Sequence, residues 1–120
     1  MVRIVVGGQL AKDEIKKRIE RLTDGNVELT VKNDLDAAMA VKENRADYYI
    51  GACETGAGGA LAMATALLGS GKTVTLATPS RLMSEAEIKE QIDKGKVAFG
   101  FTKNTMNTIL PILVKYLTVK

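Results

Sequence analysis

Residues 46–59 have the sequence ADYYIGACETGAGG, an apolar run that passes directly into a glycine-rich turn. The apolar run predicts a strand covered on both faces, and it reaches Cys53, the one cysteine of the chain. An apolar segment of small residues follows, and it predicts a helix from about Gly58 to Leu68. A strand, a turn and a helix in this order indicate a βαβ unit of an α/β protein.

The same alternation of strands and helices continues on both sides of this stretch. Periodicity predicts strands at Val2–Val6, Val27–Val31, Tyr48–Ala52, Thr73–Ala77 and Val97–Phe101. The segment from Ser84 to Glu87 is a capping box that begins a helix, and Pro111 predicts that the last helix begins near Thr108. Four helices are expected to bury one face each, formed by Ile15, Ile19 and Leu22; by Leu35, Ala38, Met39 and Val41; by Ile88 and Ile92; and by Ile109, Leu110, Leu113, Val114 and Leu117.

This alternation predicts one α/β domain over residues 1–120, with a three-layer architecture and a five-stranded parallel sheet. The expected strand order is the flavodoxin-like or Rossmann-like order 2-1-3-4-5, with helices on both faces. Ligands of such sheets bind beyond the carboxyl ends of the strands, where strands one and three lie side by side. We therefore expect the segments Gly7–Gln9 and Cys53–Gly59 to meet at one ligand site.

The chemistry of the second segment suits an anion. Backbone N–H groups at a helix start attract anions, glycine lets a ligand approach closely, and the same field favours a thiolate. Cys53 is the candidate catalytic group, although a small buried hydrophobic role and a plain tight turn are the alternatives. The segments Thr78–Arg81 and Thr102–Asn104 are expected at the same edge, so Ser80 or Arg81 could also reach a ligand, and a simple turn and a helix cap are the alternatives. The predicted ligand-binding residues are Gly7, Gly8, Gln9, Glu54, Thr55, Gly56, Ala57, Gly58 and Gly59.

Composition excludes several classes of protein. The net charge is +3, but basic residues alternate with acidic ones and the five aromatic residues form no stripe, so nucleic-acid binding is not expected. The apolar runs are too short for a signal peptide or a membrane span, and a lone cysteine indicates a reducing, cytoplasmic setting. Histidine is absent, which removes the commonest metal ligand.

Two glycine-rich segments resemble nucleotide-binding motifs without matching them. A P-loop ending at Lys72 needs glycine where Ala66 stands, and this segment would join a helix to a strand instead of a strand to a helix. A dinucleotide fingerprint from Gly56 needs glycine where Leu61 stands. We therefore expect no cofactor and no metal.

The third predicted helix is apolar on nearly every side between Ala60 and Leu68. A helix of this kind is normally buried, and in a domain this small part of its surface would face another subunit. We therefore expect a homo-oligomer in which Met63 has a packing role.

The pattern of Ala46, Asp47, Cys53, Thr55, Gly56, Gly58, Leu61 and Ala62 resembles the active-site segment of the ribose-5-phosphate isomerase B and galactose-6-phosphate isomerase family. The resemblance implies that Cys53 is the base that moves a proton between adjacent sugar carbons. It also implies that the amides of Thr55, Gly56 and Gly58 stabilise the enediolate. The chain differs from that family in carrying Glu54 where the family has glycine, and in lacking histidine.

Over its whole length the chain resembles the YhfU-like family of small glycine-rich bacterial domains. This resemblance rests on the segments Asp47–Gly58 and Gly95–Gly100. It implies a metabolite context beside a membrane transporter and carbohydrate enzymes, without a mechanism.

The leading hypothesis is a domain that binds a small anionic metabolite, such as a phosphosugar. The first alternative is an isomerase-like enzyme with Cys53 as its base. The second is a phosphocarrier or accessory domain of a sugar transporter, with phosphate carried on the Cys53 sulfur. The third is a structural interaction domain without a small-molecule ligand.

Overall fold

The computed structural model describes residues 1–54 and 61–118. Strands and helices alternate along the chain, as expected, and a short antiparallel hairpin is inserted after the fourth strand. The elements in chain order are β1 (Val2–Gly8), α1 (Lys12–Thr23), β2 (Val27–Val31), α2 (Asp34–Lys42), β3 (Tyr48–Cys53), α3 (Ala62–Leu68), β4 (Thr73–Thr75), β5 (Ala77–Thr78), β6 (Arg81–Leu82), α4 (Glu85–Asp93), β7 (Ala98–Thr102) and α5 (Met106–Thr118).

The main sheet has five parallel strands in the order β2-β1-β3-β7-β4. The predicted α/β class and the parallel five-stranded sheet are confirmed. The predicted positions of the last two strands are exchanged, because β7 lies inside the sheet and β4 forms its edge. Burial explains the exchange: every residue of β7 is buried, whereas β4 is three half-buried residues, two of them threonines. Short polar strands are suited to edges, and fully apolar ones to the interior.

The predicted fourth strand, Thr73–Ala77, is divided between two sheets. Its first part is β4, and Ala77 begins the hairpin formed by β5 and β6. Between them, the Leu76 N–H donates to the Gly100 carbonyl at 2.7 Å, and the Leu76 carbonyl accepts from the Met83 N–H at 3.0 Å. Leu76 thus ties the hairpin to β7.

Helices cover both faces of the sheet. On one face α1, α4 and α5 contribute large aliphatic residues, which pack with Phe99 and Phe101 of β7. On the other face α2 and α3 contribute alanines, which pack around Val5 and Tyr49. The three-layer arrangement is therefore confirmed. Within the described ranges, no helix combines the length and hydropathy required to cross a membrane.

The buried faces of three helices differ from the prediction. Leu22 of α1 is 46% exposed, and the buried position is Thr23, whose hydroxyl donates to the Ile19 carbonyl at 2.7 Å. In α2, Leu35 is exposed while Ala37, Ala38 and Ala40 are buried, because β1 and β3 approach α2 too closely for larger side chains. Ala64 is the buried residue of α3, and Met63 is 43% exposed.

The ends of the helices follow the sequence with one exception. The capping box is confirmed: the Glu87 N–H donates to Ser84 Oγ at 3.2 Å, and the Ser84 N–H donates to Glu87 Oε1 at 3.0 Å. The start predicted for α5 near Thr108 is wrong, since this helix begins at Met106 and contains Pro111. Pro111 is exposed, so its ring faces away from the core. Proline has no N–H to donate, and the backbone carbonyl one helical turn earlier, which loses this donor, lies near solvent. The segment rejected as a P-loop does join a helix, α3, to a strand, β4.

Candidate functional site

Three strands end side by side at the carboxyl edge of the sheet. Gly8 ends β1, Cys53 ends β3 and Thr102 ends β7. In the register of the sheet Gly8 pairs with Ala52, and Cys53 pairs with Thr102. The sheet therefore brings the first predicted segment beside Cys53, the first residue of the second, at the point where β1 and β3 adjoin.

Gly7 and Gly8 are required by close packing between these strands. A Cβ at Gly7 would lie 2.7 Å from Ala37 Cβ and from the Tyr49 ring. Gly8 has a φ of +79°, and a Cβ there would lie 2.8 Å from the Ala52 nitrogen. Packing accounts for both glycines, and a role in contacting a ligand stays a prediction.

The loop after β1 is fixed to the end of β3. The Ala52 carbonyl accepts hydrogen bonds from the Gln9 N–H at 3.1 Å and from the Leu10 N–H at 3.2 Å. The Gln9 side chain is exposed, so it is available to a ligand at this edge. The backbone there is held in place, which is a condition for a preorganised site.

Cys53 and Glu54 differ sharply in exposure although they are neighbours in the chain. Cys53 is 3% exposed as the last residue of β3, whereas Glu54 is exposed and lines a cavity. The rest of the predicted loop, Thr55 to Gly59, lies outside the described residues. The described part of the site therefore contains the thiol and the carboxylate.

The cavity beside Glu54 has a volume of about 560 Å³, within the range usual for small-molecule sites. Two carboxylates, one ammonium group and two carboxamides lie on its wall. They belong to Glu14, Glu54, Lys103, Asn104 and Asn107, and Pro79 and Met106 also line the described part of the cavity. Such a wall offers hydrogen-bond acceptors and donors to a ligand rich in hydroxyl groups.

Sequence reasoning missed Glu14 and Asn107 as members of this wall, while Lys103 and Asn104 were expected at the same edge. Glu14 lies in the first turn of α1, and Asn107 lies in the first turn of α5. In a parallel sheet, the helix after a strand begins at the carboxyl edge. A polar residue in the first turn of such a helix could therefore have predicted that Glu14 and Asn107 lie at this edge.

The two remaining expected residues, Ser80 and Arg81, lie in the hairpin formed by β5 and β6. They line a second cavity of about 300 Å³, which shares Pro79 and Asn104 with the first. The turn predicted for this segment is present, because Thr78 pairs with Arg81 across the hairpin.

Asp47, part of the motif that resembles the isomerases, lies just before β3, at the opposite end of this strand from Cys53. Its carboxylate accepts from the Arg3 N–H at 2.8 Å and from Arg3 Nη2 at 3.0 Å. This carboxylate ties β1 to the start of β3, and the described structure gives it a scaffold role.

Tyr49 lies directly beneath Gly7, and its hydroxyl donates to a carboxylate oxygen of Asp34 in the first turn of α2. Burial, followed by this hydrogen bond, raises the pKa of Tyr49 far above its ordinary value. Tyr49 is therefore a neutral donor that holds α2 against the sheet. Within residues 1–54 and 61–118, no three His, Cys, Asp or Glu side chains are grouped as a metal site would require.

Solved structures with the same fold include two ribose-5-phosphate isomerases. The crystal structure of ribose-5-phosphate isomerase B from Giardia lamblia matches with a TM-score of 0.71 and 16% identity, over 99% of this chain and 96% of that chain. The ribose 5-phosphate isomerase from Thermotoga maritima matches with a TM-score of 0.69 and 15% identity, over 98% and 87% of the two chains. These similarities show a shared fold.

Similarity in sequence is much closer to a bacterial protein named "Uncharacterized protein YhfU". The forms from Escherichia coli (strain K12) and from Shigella flexneri are each 43% identical over 117 residues, covering 98% of this chain and 99% of that protein. The predicted resemblance to the YhfU-like family is confirmed. The chain belongs to the family described as "Protein of unknown function DUF2620", whose model matches residues 2–117.

Proposed function

We propose that this protein binds a small anionic metabolite of the phosphosugar class at the carboxyl edge of its sheet. The observation that carries the proposal is the cavity of about 560 Å³ beside Glu54, at the edge where β1 and β3 end together. The fold supports the same class of ligand, because two solved structures with this fold are named as ribose-5-phosphate isomerases.

The cavity wall suits the polyol part of such a ligand. Carboxylates of Glu14 and Glu54 accept hydrogen bonds from hydroxyl groups, and the amides of Asn104 and Asn107 donate and accept. Lys103 supplies a positive charge on the same wall. Hydrogen bonds between a charged group and a hydroxyl are stronger than those between neutral groups, so Glu14 and Glu54 would orient the sugar.

A thermal-shift titration against pentose phosphates, hexose phosphates and small carboxylates tests the proposal. A ligand at about 100 times its Kd adds roughly 2.7 kcal/mol to the free energy of unfolding, which raises Tm by several degrees. Glu54→Gln should weaken binding of the compound that gives the shift. Glu90→Gln is the matched control, because Glu90 pairs with Lys94 on the exposed side of α4.

A selective Tm increase that Glu54→Gln reduces and Glu90→Gln preserves would support the proposal. Unchanged Tm values across the panel would contradict it and would favour a structural interaction domain. A Tm increase of equal size in both variants would place the ligand away from Glu54.

An isomerase is a second candidate, and the position of Cys53 favours it. Cys53 ends β3 one residue before Glu54, which lines the cavity. By similarity to the isomerase family, its thiolate would take a proton from the carbon beside a carbonyl. The Cys53 thiol formed in this step would return the proton to the adjacent carbon of the enediolate, and a proton would pass between the two oxygens, so that no oxidant is consumed.

The phosphocarrier alternative remains a prediction, together with a transporter as partner and a cytoplasmic location. It requires a phosphoryl group transferred to the Cys53 sulfur. Cys53 is almost wholly buried at the end of β3, so the transfer would also require the thiol to become exposed. Intact-mass detection of phosphate on wild-type protein, absent from Cys53→Ala, would distinguish this function from metabolite binding.

A further inference from the structure

The two cavities at the carboxyl edge have opposite electrostatic character. Among the described residues on the wall of the larger one, Glu14 and Glu54 stand against the single positive charge of Lys103, so this part of the wall is net negative. The smaller one, of about 300 Å³, is lined by Arg81 and by the hydroxyls of Ser80, Thr105 and Thr108. Among the described residues, no carboxylate lines this smaller cavity.

This difference matters for the orientation of a ligand that has one charged end. A phosphate group placed between Glu14 and Glu54 would meet like charges, which disfavours binding. The two cavities adjoin, because Pro79 and Asn104 line both of them. One molecule can therefore extend from the acidic cavity into the cavity beside Arg81.

We propose that Arg81 binds the anionic group of the ligand in the smaller cavity, while the hydroxyl-bearing part occupies the larger one. This inference rests on the proposed function and adds the orientation of the ligand to it. The planar guanidinium presents paired N–H donors that match two oxygens of a phosphate, and neighbouring hydroxyls can donate to a third.

The hairpin holds Arg81 where this contact requires it. Arg81 pairs with Thr78 across the hairpin, and the hairpin is anchored through the buried residues Leu76 and Ala77. The backbone hydrogen bond from Met83 to Leu76, at 3.0 Å, closes the strand that carries Arg81. A binding group on a fixed strand loses less freedom when the ligand arrives.

The one ion pair of Arg81 in the described structure leaves it available. Arg81 Nη2 lies 3.6 Å from Glu87 Oε2, longer than a hydrogen bond, and both side chains are exposed. Glu87 is held by the capping box instead, and its hydrogen bonds with Ser84 are the main cause of its lowered pKa. A phosphate can therefore displace a weak contact without disturbing α4.

The test is a titration of ¹⁵N-labelled protein with inorganic phosphate, followed by amide NMR at constant ionic strength with chloride as the matched salt. Saturable shifts are expected at residues 80–82 and 104–108. Arg81→Ala should weaken the affinity for phosphate about tenfold or more. Arg81→Lys should weaken it less, because lysine keeps the positive charge and loses the paired N–H donors of the guanidinium. Arg45→Ala is the control, because Arg45 pairs with Glu43 in the connection that leads into β3, away from the carboxyl edge.

The absence of saturable shifts, or equal affinity in wild type and Arg81→Ala, would overturn the inference. Shifts centred on Arg18 and Arg21, which line a neighbouring cavity beside Met106, would overturn it as well. Its failure is distinguishable from failure of the proposed function. A phosphosugar that binds Arg81→Ala as tightly as wild type would contradict the inference and leave the function standing. Phosphate binding at Arg81 without binding of any phosphosugar would contradict the proposed function and leave Arg81 as a group that binds anions.

Discussion

Tyr49 of β3 is fully buried, and its hydroxyl donates a hydrogen bond to the carboxylate of Asp34 at the start of α2. This contact fixes the distance between α2 and the two strands whose ends form the candidate site. Tyr49→Phe should lower the free energy of unfolding by about 1–2 kcal/mol, because the Asp34 carboxylate loses a donor and the ring is kept. Tyr116→Phe is the control, since Tyr116 makes the equivalent contact with Glu85 on the surface. Urea denaturation measures both, and equal losses would contradict the structural role of Tyr49.

The same residue predicts a loss of stability at alkaline pH. The pKa of Tyr49 is raised in the folded protein, whereas in the unfolded chain it is about 10. The stabilisation is therefore complete below about pH 10 and is lost as pH rises above that value. The pKa values of Tyr48 and Tyr116 are raised too, so the three tyrosines act in the same direction. Tyr49→Phe should reduce the slope of stability against pH above 10, and an unchanged slope would contradict the prediction.

Gly8→Ala should destabilise the protein by about 2 kcal/mol or more, since the new Cβ meets the backbone of Ala52 and φ is positive. Gly71→Ala is the matched control. No atom lies within 4 Å of a Cβ built at Gly71, so we expect no loss of stability there. Denaturant midpoints of the two variants would test the difference, and similar midpoints would show that β1 and β3 separate easily.

Cys53→Ala separates binding from catalysis. If the protein is an isomerase, this variant should lose turnover of the phosphosugar that wild type binds, while the Kd changes by less than about twofold. Cys53→Ser is the control for volume, because it keeps the size of the side chain and removes the thiolate. Turnover by both variants at the wild-type rate would end the case for Cys53 as a base, whereas equal Kd values without any turnover in wild type would identify a binding protein.

Lys103→Met should weaken binding of an anionic ligand about two- to fivefold, the effect expected of one exposed charge. The loss should shrink at high salt, because exposed charges are screened. Lys89→Met removes the same charge from α4, where Lys89 pairs with Asp93, and should leave the affinity unchanged. Calorimetric titrations at two salt concentrations measure both variants, and an equal effect of the two substitutions would indicate a general charge effect.

Self-association through α3 remains a prediction, and the structure supplies the surface for it. Ala62, Met63 and Ala66 are exposed, and the helix carries no charged residue, as in the centres of interfaces, where charged residues are depleted and methionine is enriched. Met63→Glu should convert an oligomer into a monomer in light scattering. Leu22→Glu is the control, since Leu22 is a similarly exposed apolar residue on α1, in the opposite helix layer. A monomeric wild-type protein would contradict the prediction.

The sequence predicted the fold where local pattern and packing agree. Periodicity predicted a strand at each of the five positions of the main sheet, although only Thr73–Thr75 of the predicted fourth strand joins that sheet, and the Ser84 capping box predicted the start of α4. Strand order depends on competition between strands for the interior of the sheet, which periodicity does not encode. The more apolar strand, β7, took the interior position, so the exchange with β4 follows from the burial of Phe99 and Phe101.

The positions of some candidate site residues could be predicted from the sequence, while their role in binding stays a prediction. Gln9, Cys53 and Glu54 follow from the rule that parallel sheets bind ligands at their carboxyl edge. Glu14 and Asn107 enter from helices, and their positions depend on how α1 and α5 pack together. On α2, Ala38 was predicted correctly, but Ala37 and Ala40 were missed because helical periodicity favours large apolar residues, while the close approach of β1 and β3 selects alanine.

The interior position of β7 has a consequence for the order in which the chain can fold as it leaves the ribosome. The strand β4 pairs with β7 alone in the main sheet, and β7 also supplies the outer partner of β3. A nascent chain that stops before Ala98 therefore has β3 with one open edge and β4 without its neighbour. Synthesis must reach Thr102 before the sheet can close, so the last strand to be made is the one that completes it.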